Sequence, residues 1–177
     1  MKSNLALIGM PGAGKSTIGS LLARQLDMGF IDTDLLIEKS QGQALQRIVD
    51  EKGHLALRAI EEAEIMKLAG EGQVIATGGS AAYSDRAMRH LRTMATLIFL
   101  RLPFETVRAR IDNFASRGIA RAAHQSLRDL FDERQPLYEK YAELTIDCQG
   151  LSREEITARI VAALQNGPQR PKSAPGH

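Results

Sequence analysis

The sequence predicts an α/β protein in which helices cover a parallel sheet. Short apolar runs rich in Ile, Val, Leu and Phe alternate with longer segments in which apolar residues recur at helical spacing. One of these runs leads directly into a glycine-rich loop, and a helical pattern follows that loop at once. Together these observations indicate repeated strand–helix units.

The elements follow one another in this alternating order. Strands are expected at the five apolar runs, 5–8, 29–32, 73–77, 96–100 and 144–146. Helices are expected where the apolar spacing is helical, near 15–26, 34–40, 44–52, 55–69, 84–93, 104–111, 126–140 and 153–165. Ser152 and Glu155 have the spacing of a capping box at the start of the last helix.

Length and composition limit the classes of function. The chain has 177 residues, of which 44% are hydrophobic and 25% charged, as expected for a soluble globular protein and not for a disordered or low-complexity chain. The net charge is only +2, there is no Trp and only 5% of the residues are aromatic, so the chain is not basic overall and offers few of the stacking platforms of a nucleic-acid binder. No run approaches the roughly 18 apolar residues of a membrane span.

A single domain over residues 1–165 is expected, followed by a disordered tail at 166–177 that is rich in Pro and Gly. Residues 112–124 have no strong period of either kind and are expected to form a long surface loop. Cys148 is the only cysteine, so it has no intramolecular disulfide partner, and no group of Cys and His has zinc-ligand spacing. Both observations favour the reducing cytoplasm.

A phosphate-binding loop is the most specific motif in the chain. The segment from Gly9 to Ser16 reads G-x-x-x-x-G-K-S between a strand and a helix, the context that this motif requires, which disfavours a chance glycine-rich turn. Backbone N–H groups and the N-terminus of the following helix bind phosphates in such loops. Lys15 is expected on the β- and γ-phosphates of ATP, and the Ser16 hydroxyl on Mg²⁺. The expected ATP-binding residues here are Gly12, Ala13, Gly14, Lys15, Ser16 and Thr17.

Two carboxylates follow the second strand, at the edge of a parallel sheet where ligands bind. Asp32 and Asp34 are two residues apart, so one can hold Mg²⁺ through water while the other faces the hydroxyl of an acceptor. An alternative role for Asp34 is to cap the helix that follows, since Asp is a favoured N-cap residue. The two roles are compatible.

Two arginines and a glycine run complete the set of candidate site residues. Arg58 lies three residues before Glu61 in a helical stretch, and this spacing alone fits a surface ion pair. Arg134 lies in a Glu-Arg-Gln-Pro-Leu-Tyr segment, and Gly-Gly-Ser at 78–80 follows the third strand. Combined with the phosphate loop and the paired carboxylates, this set resembles the shikimate kinases over residues 3–165.

The resemblance implies a P-loop domain of the nucleoside-monophosphate-kinase type, a three-layer sandwich around a five-stranded parallel sheet in the order 2-3-1-4-5. It implies ATP- and Mg²⁺-dependent phosphorylation of a hydroxyl on a small carboxylate-bearing metabolite, carried out by a monomer. The loop at 112–124 would then be a mobile lid that closes over the phosphates.

The resemblance also implies a role for each matching residue. Asp32 would hold magnesium through water, and Asp34 would face the acceptor hydroxyl. Arg58 and Arg134 would clamp the acceptor carboxylate, because two guanidinium groups offer it bidentate donors. The remaining roles are those of Gly78, Gly79 and Ser80 beside the acceptor, Arg110 on adenine, and the lid arginine Arg117 on the phosphates. Arg121 is a candidate second lid cation, and the favoured alternative is an exposed loop arginine. Lys15, Asp34 and Arg117 would carry the chemistry.

Three features depart from that family, all near the acceptor or the lid. The glycine run ends in Ser80, the lid reads Arg-Gly-Ile-Ala at 117–120 instead of Arg-Pro-Leu-Leu, and Leu57 and His54 stand where an aromatic residue and an acid are usual. Shikimate, converted to shikimate 3-phosphate, is the favoured acceptor. Homoserine is the alternative, because it offers a carboxylate and a hydroxyl without a ring. A nucleotide-binding regulatory module, which needs the loop but no acceptor residues, is the alternative from another class.

Overall fold

Strands and helices alternate along the chain as the sequence predicts. The computed structural model describes residues 2–111, 118–122 and 124–166. Its strands are β1 (Asn4–Ile8), β2 (Gly29–Asp32), β3 (Gln73–Ala76), β4 (Ala95–Arg101) and β5 (Leu144–Asp147). Its α-helices in these ranges are α1 (Lys15–Leu26), α2 (Thr33–Gln41), α3 (Leu45–Lys52), α4 (His54–Met66), α5 (Asp85–Met94), α6 (Phe104–Arg110), α7 (Leu127–Tyr141) and α8 (Arg153–Gln165).

The five strands form one parallel sheet in the order β2-β3-β1-β4-β5, which confirms the order that the resemblance implies. β1 lies in the centre, where Leu5 pairs with Val74 of β3 on one side and with Thr96 of β4 on the other. All carboxyl ends of a parallel sheet lie at one edge, and ligands bind there. The loops after β1 and β3 and the last residue of β2, Asp32, therefore meet at the same edge.

The main core lies between the sheet and the helices that flank it. All five residues of β1 are buried, as expected for the central strand of a covered sheet. A second, smaller cluster joins Ile37 of α2, Ile48 of α3 and Leu57 of α4 with Ala120. This cluster packs the helices α2 to α4 against the described end of the expected lid.

Most helix ends lie within one residue of the predicted ends, and α4 differs most. It ends at Met66 instead of residue 69. The N–H groups of Lys67 and Leu68 bond to the carbonyls of Glu64 and Ile65 at 3.2 and 3.0 Å, the i→i−3 pattern of a tighter final turn. Apolar spacing continues through such a turn, so the sequence pattern predicts a longer helix than the one that forms.

Asp32, not Asp34, caps α2, so the alternative role considered for Asp34 is wrong. The Asp32 Oδ1 atom accepts a hydrogen bond from the Asp34 N–H at 3.0 Å, and the helix begins at Thr33. Asp34 therefore lies in the first turn, where its own carboxylate remains available to the site. The capping box of Ser152 and Glu155 at α8 is confirmed.

A 3₁₀ turn at Ala81–Tyr83, which the sequence pattern does not predict, follows the glycine run. The expected lid residues 112–117 and the part of the expected tail at 167–177 lie outside the described residues. Within the described ranges, every helix is too short or too polar to cross a lipid bilayer.

Candidate active site

The phosphate-binding loop between β1 and α1 has an open helix N-terminus at its end. Gly12 and Gly14 have φ angles of 82° and 88°, a region that L side chains rarely adopt, so the glycines of the motif are needed for the backbone path. Gly14 is the N-cap of α1, and no side chain of the described residues caps this end. The first N–H groups of α1 therefore face an anion site.

Lys15 places its ammonium inside this loop. Its Nζ donates hydrogen bonds to the carbonyl oxygens of Gly9 and Met10, both at 2.8 Å, and the residue is 8% exposed. Burial lowers the pKa of Lys15 to about 8, and the Asp34 carboxylate partly offsets that effect. A buried cation held by the loop is suited to neutralise phosphate charge.

Ser16 and Asp32 form a pair of oxygen donors beside the loop. The Ser16 hydroxyl donates to Asp32 Oδ2 at 2.5 Å, so a hydroxyl and a carboxylate lie side by side, and both offer the oxygen ligands that Mg²⁺ prefers. No group of three or more His, Cys, Asp and Glu side chains within the described ranges could hold a metal ion. This pair fits a magnesium ion whose remaining ligands are phosphate and water oxygens, and not an ion caged by protein.

Two buried acids form one wall of the site, next to Gly78. A Cβ atom on Gly78 would collide with Glu61 Oε1 and lie 2.7 Å from Asp34 Oδ1, so only glycine fits between the two carboxylates. Burial raises the pKa of Asp34 to about 6, against the opposing effect of Lys15. Burial and the nearby Asp34 raise the pKa of Glu61 to about 7. The pKa values of both acids therefore lie closer to neutral pH than those of exposed carboxyls.

Ser80 uses its hydroxyl to hold Glu61. The Ser80 Oγ donates a short hydrogen bond to Glu61 Oε2. The other oxygen, Oε1, is buried without a hydrogen-bond partner among the described residues. Ser80, which replaces the family's third glycine, thus forms a hydrogen bond within the wall of the site. Glu61 Oε1 remains available to accept a hydrogen bond from a ligand.

Arg134 of α7 forms the opposite, cationic wall. It is 1% exposed, and its Nη2 donates to the Ala120 carbonyl at 2.6 Å. A Cβ atom on Gly79 would lie 2.9 Å from Arg134 Nη1 and 2.8 Å from Pro11 Cδ. Gly79 therefore lets the arginine approach the phosphate loop closely. The Tyr138 hydroxyl fixes this glycine by donating to its carbonyl at 2.6 Å.

Arg58 of α4 lies beside this wall, against the ring of Tyr83. Its Cζ is 3.4 Å from the ring centroid, and its Nη2 is 3.9 Å from Glu133 Oε1. Glu62 pairs with Arg86 at 3.6 Å. The ion pair of Arg58 is thus formed with α7 and not along α4, which corrects the interpretation of Arg58 as one half of a helical surface pair.

One cavity of about 920 Å³ brings most predicted site residues together. The predicted residues that line it are Gly12, Ala13, Gly14, Lys15, Ser16, Thr17, Asp34, Gly78, Gly79, Ser80, Arg110 and Arg134. Asp32 and Arg58 are not part of its described lining. Arg58 lines a smaller neighbouring cavity of about 450 Å³ together with His54 and His124.

The expected lid is described only at its end. The Gly118 N–H donates to Gln46 Oε1 at 2.6 Å, and the buried Ile119 and Ala120 line the main cavity. Arg117 lies outside the described residues. The Arg121 Nη1 donates to the Gln125 carbonyl at 3.0 Å, so its side chain is held by the loop that leads into α7.

Sequence reasoning missed three parts of the site. The sequence spacing indicated Glu61 only as a possible ion-pair partner of Arg58. Its place on α4 with the buried Leu57, Glu64 and Ile65 follows helical spacing, a signal that could have found it. Tyr83 belongs to no recognisable sequence motif, so nothing in the sequence indicated its place in the site. Residues 151–154, at the start of α8, line the cavity beside Arg110 only because the fold brings the end of the chain there.

Comparison with known proteins agrees with this geometry. The family model described as shikimate kinase matches residues 11–165. A shikimate kinase of Thermodesulfovibrio yellowstonii is 35% identical over 162 residues, covering 89% of this chain and 92% of the relative. One of Pseudomonas paraeruginosa is 36% identical over 170 residues, covering 94% and 99%. The protein is therefore a small-molecule kinase that transfers a phosphoryl group to a hydroxyl. It belongs to the shikimate kinase family.

Solved structures give the same result. The shikimate kinase of Acinetobacter baumannii, solved in complex with shikimate, superposes with a TM-score of 0.86 at 28% identity, covering 94% of both chains. A gluconokinase of Sinorhizobium meliloti has a TM-score of 0.55 at 17% identity, covering 93% of both chains, which shows a shared fold alone.

Proposed function

We propose that this protein transfers the γ-phosphoryl group of ATP to shikimate and forms shikimate 3-phosphate and ADP. The observation that carries the proposal is the single cavity in which the phosphate loop faces Asp34, Glu61 and Arg134. The family and the relatives support shikimate as the acceptor. Nothing in these comparisons supports homoserine, so we do not retain it as a proposed substrate.

On the nucleotide side, Lys15 and the N–H groups of residues 12–17 hold the phosphates, and Arg110 packs on the adenine. Ser16 would bind Mg²⁺ directly and Asp32 would bind it through water, consistent with their side-by-side oxygens. When bound, Mg²⁺ neutralises charge that develops on the transferring phosphoryl group.

On the acceptor side, Asp34 takes the proton of the hydroxyl that attacks the γ-phosphorus. The new bond joins that oxygen to phosphorus, and the bond to the β-phosphate oxygen breaks and releases ADP. With a pKa of about 6, the Asp34 carboxylate is ionised at neutral pH and available as a base. Arg58 and Arg134 bind the acceptor carboxylate, and Gly78, Gly79 and Ser80 line its pocket.

The lid completes the site in this proposal. Residues 1–165 act as one domain, and residues 112–124 close over the two substrates and bring Arg117 to the phosphates. Closure excludes water, so ATP is not hydrolysed without an acceptor. The contacts of Gly118 with Gln46 and of Ala120 with Arg134 support a lid that ends on the acceptor pocket.

The test is ADP release from ATP and Mg²⁺ with shikimate, with homoserine and with no acceptor, measured under identical conditions. We expect turnover with shikimate and a phosphorylated product that mass spectrometry identifies. Turnover with homoserine alone would overturn the proposed acceptor. ATP binding without acceptor-dependent ADP release would instead support the regulatory module.

A further inference from the structure

Tyr83 contacts both arginines of the acceptor side. Its ring lies 3.4 Å from Arg58 Cζ and 5.2 Å from Arg134 Cζ, measured to the ring centroid. The Arg134 Nε also donates to the Tyr83 hydroxyl at 3.3 Å. The two arginines come from different helices, α4 and α7, and this half-buried tyrosine on the 3₁₀ turn after the glycine run touches both of them.

The ring is packed against a guanidinium group that has few other polar contacts. The Nε of Arg58 is buried without a hydrogen-bond partner among the described residues, and burial lowers the pKa of this guanidinium. The negative face of an aromatic ring attracts a guanidinium, and most strongly where water is excluded. An arginine loses considerable side-chain entropy when it is immobilised, so a ring that holds it in advance reduces the cost of binding an anion.

The orientation of the ring is itself fixed from α7. The Tyr83 hydroxyl donates to Glu133 Oε1 in a short hydrogen bond. The second oxygen, Glu133 Oε2, accepts from Gln125 Nε2 at 2.7 Å. The same carboxylate lies 3.9 Å from Arg58 Nη2. One hydroxyl therefore accepts from Arg134 and donates to Glu133, while the ring face carries Arg58.

We propose that Tyr83 is a positioning residue that holds Arg58 and Arg134 as one unit for the carboxylate of the acceptor. Tyr83 acts through the two arginines and does not touch the reacting atoms. The inference rests on the proposed function, because it requires that these arginines bind a carboxylate. In this arrangement the two guanidinium groups keep a fixed position relative to each other, because both contact the same aromatic side chain.

The test compares Tyr83→Phe, which keeps the ring and removes the hydroxyl, with Tyr83→Leu, which removes both. The probes are shikimate and shikimate methyl ester, whose carboxylate is neutralised. The ratio of kcat/KM for the acid to that for the ester should fall about fivefold in Tyr83→Phe. A fivefold change corresponds to a loss of roughly 1 kcal/mol in the preference for the acid. It should fall about 50-fold in Tyr83→Leu, with the KM for ATP unchanged.

A matched control is Tyr141→Phe at the C-terminal end of α7, about two turns beyond Arg134, which removes a hydroxyl that donates to Asp85 Oδ1 at 2.8 Å. This variant should keep the wild-type ratio. A wild-type ratio in both Tyr83 variants would overturn the inference. The Tyr83→Phe result decides the question if Tyr83→Leu does not fold.

Arg134→Ala separates this inference from the proposed function. If that variant discriminates between acid and ester as the wild type does, the proposed role of the arginines fails, and the inference fails with it. If the ratio falls in Arg134→Ala but not in the Tyr83 variants, only the inference on Tyr83 is wrong.

Discussion

Replacement of the buried Glu61 by Gln should change how the stability of the protein depends on pH. The pKa of the Glu61 carboxyl is raised from 4.5 to about 7, chiefly by burial. Between these values the folded state holds a proton that the unfolded chain releases, so the free energy of unfolding falls as the pH rises. The shift corresponds to about 3 kcal/mol over that window.

Gln cannot ionise, so Glu61→Gln should remove this part of the pH dependence. The difference in unfolding free energy, variant minus wild type, should therefore increase by about 3 kcal/mol between pH 4.5 and pH 7.5. Asp34, whose pKa burial raises to about 6, adds a similar dependence that remains in the variant. Urea unfolding followed by circular dichroism at four pH values measures the difference.

A matched control is Glu51→Gln on α3. The hydrogen bond from Arg47 lowers the pKa of this exposed carboxyl below its ordinary value of 4.5, so its contribution to stability changes with pH mainly below pH 4.5. Glu51→Gln should therefore leave the difference in unfolding free energy nearly constant between pH 4.5 and pH 7.5. A difference for Glu61→Gln that stays constant from pH 4.5 to 7.5 would refute the reasoning, because Glu61 would then titrate alike in the folded and unfolded chain.

Three further variants test the proposed site by ADP release. Lys15→Ala should abolish turnover, because it removes the cation on the β- and γ-phosphates, whereas Lys67→Ala at the exposed end of α4 should retain it. Gly79→Ala should lower kcat/KM for shikimate at least about 100-fold, because its Cβ would displace Arg134 or Pro11; wild-type kinetics would contradict that packing. Ser80→Gly should raise the pKa of Glu61 further and lower kcat/KM for shikimate about tenfold with an unchanged KM for ATP. An equal loss in both substrates would count against the specific role of Ser80.

Local patterns predicted the elements of the fold because local forces form them. The apolar run at residues 5–8 is a fully buried central strand, and the helix from Lys15 to Leu26 has the predicted limits. The order of the strands came only from the resemblance, since no local pattern encodes which strands pair. The same limit applies to the cap of α2, where both Asp32 and Asp34 are suitable residues and only the backbone path selects Asp32.

The site was predictable where one motif supplies it and not where distant elements meet. The residues of the phosphate loop lie as expected along one cavity, because eight consecutive residues specify that loop. The partner of Arg58, in contrast, is a ring 25 positions further along the chain, and nothing in the spacing of α4 points to it. The burial of Glu61 could have been predicted from its helical spacing. Its hydrogen bond with Ser80 could not, because that bond depends on the path of the turn after β3.

Two of the departures from the family, Ser80 and Leu57, are accommodated inside the protein, which argues that they need not change the acceptor. The Ser80 hydroxyl, which could have crowded the pocket, is bonded to Glu61. Leu57 replaces the usual aromatic residue and packs with Ile37 and Ile48, while Tyr83 supplies an aromatic ring against Arg58. Ser80 and Leu57 each have a partner within the protein, so these two changes are compatible with the proposed binding of a hydroxy acid beside Asp34, Glu61 and Arg134 in the main cavity.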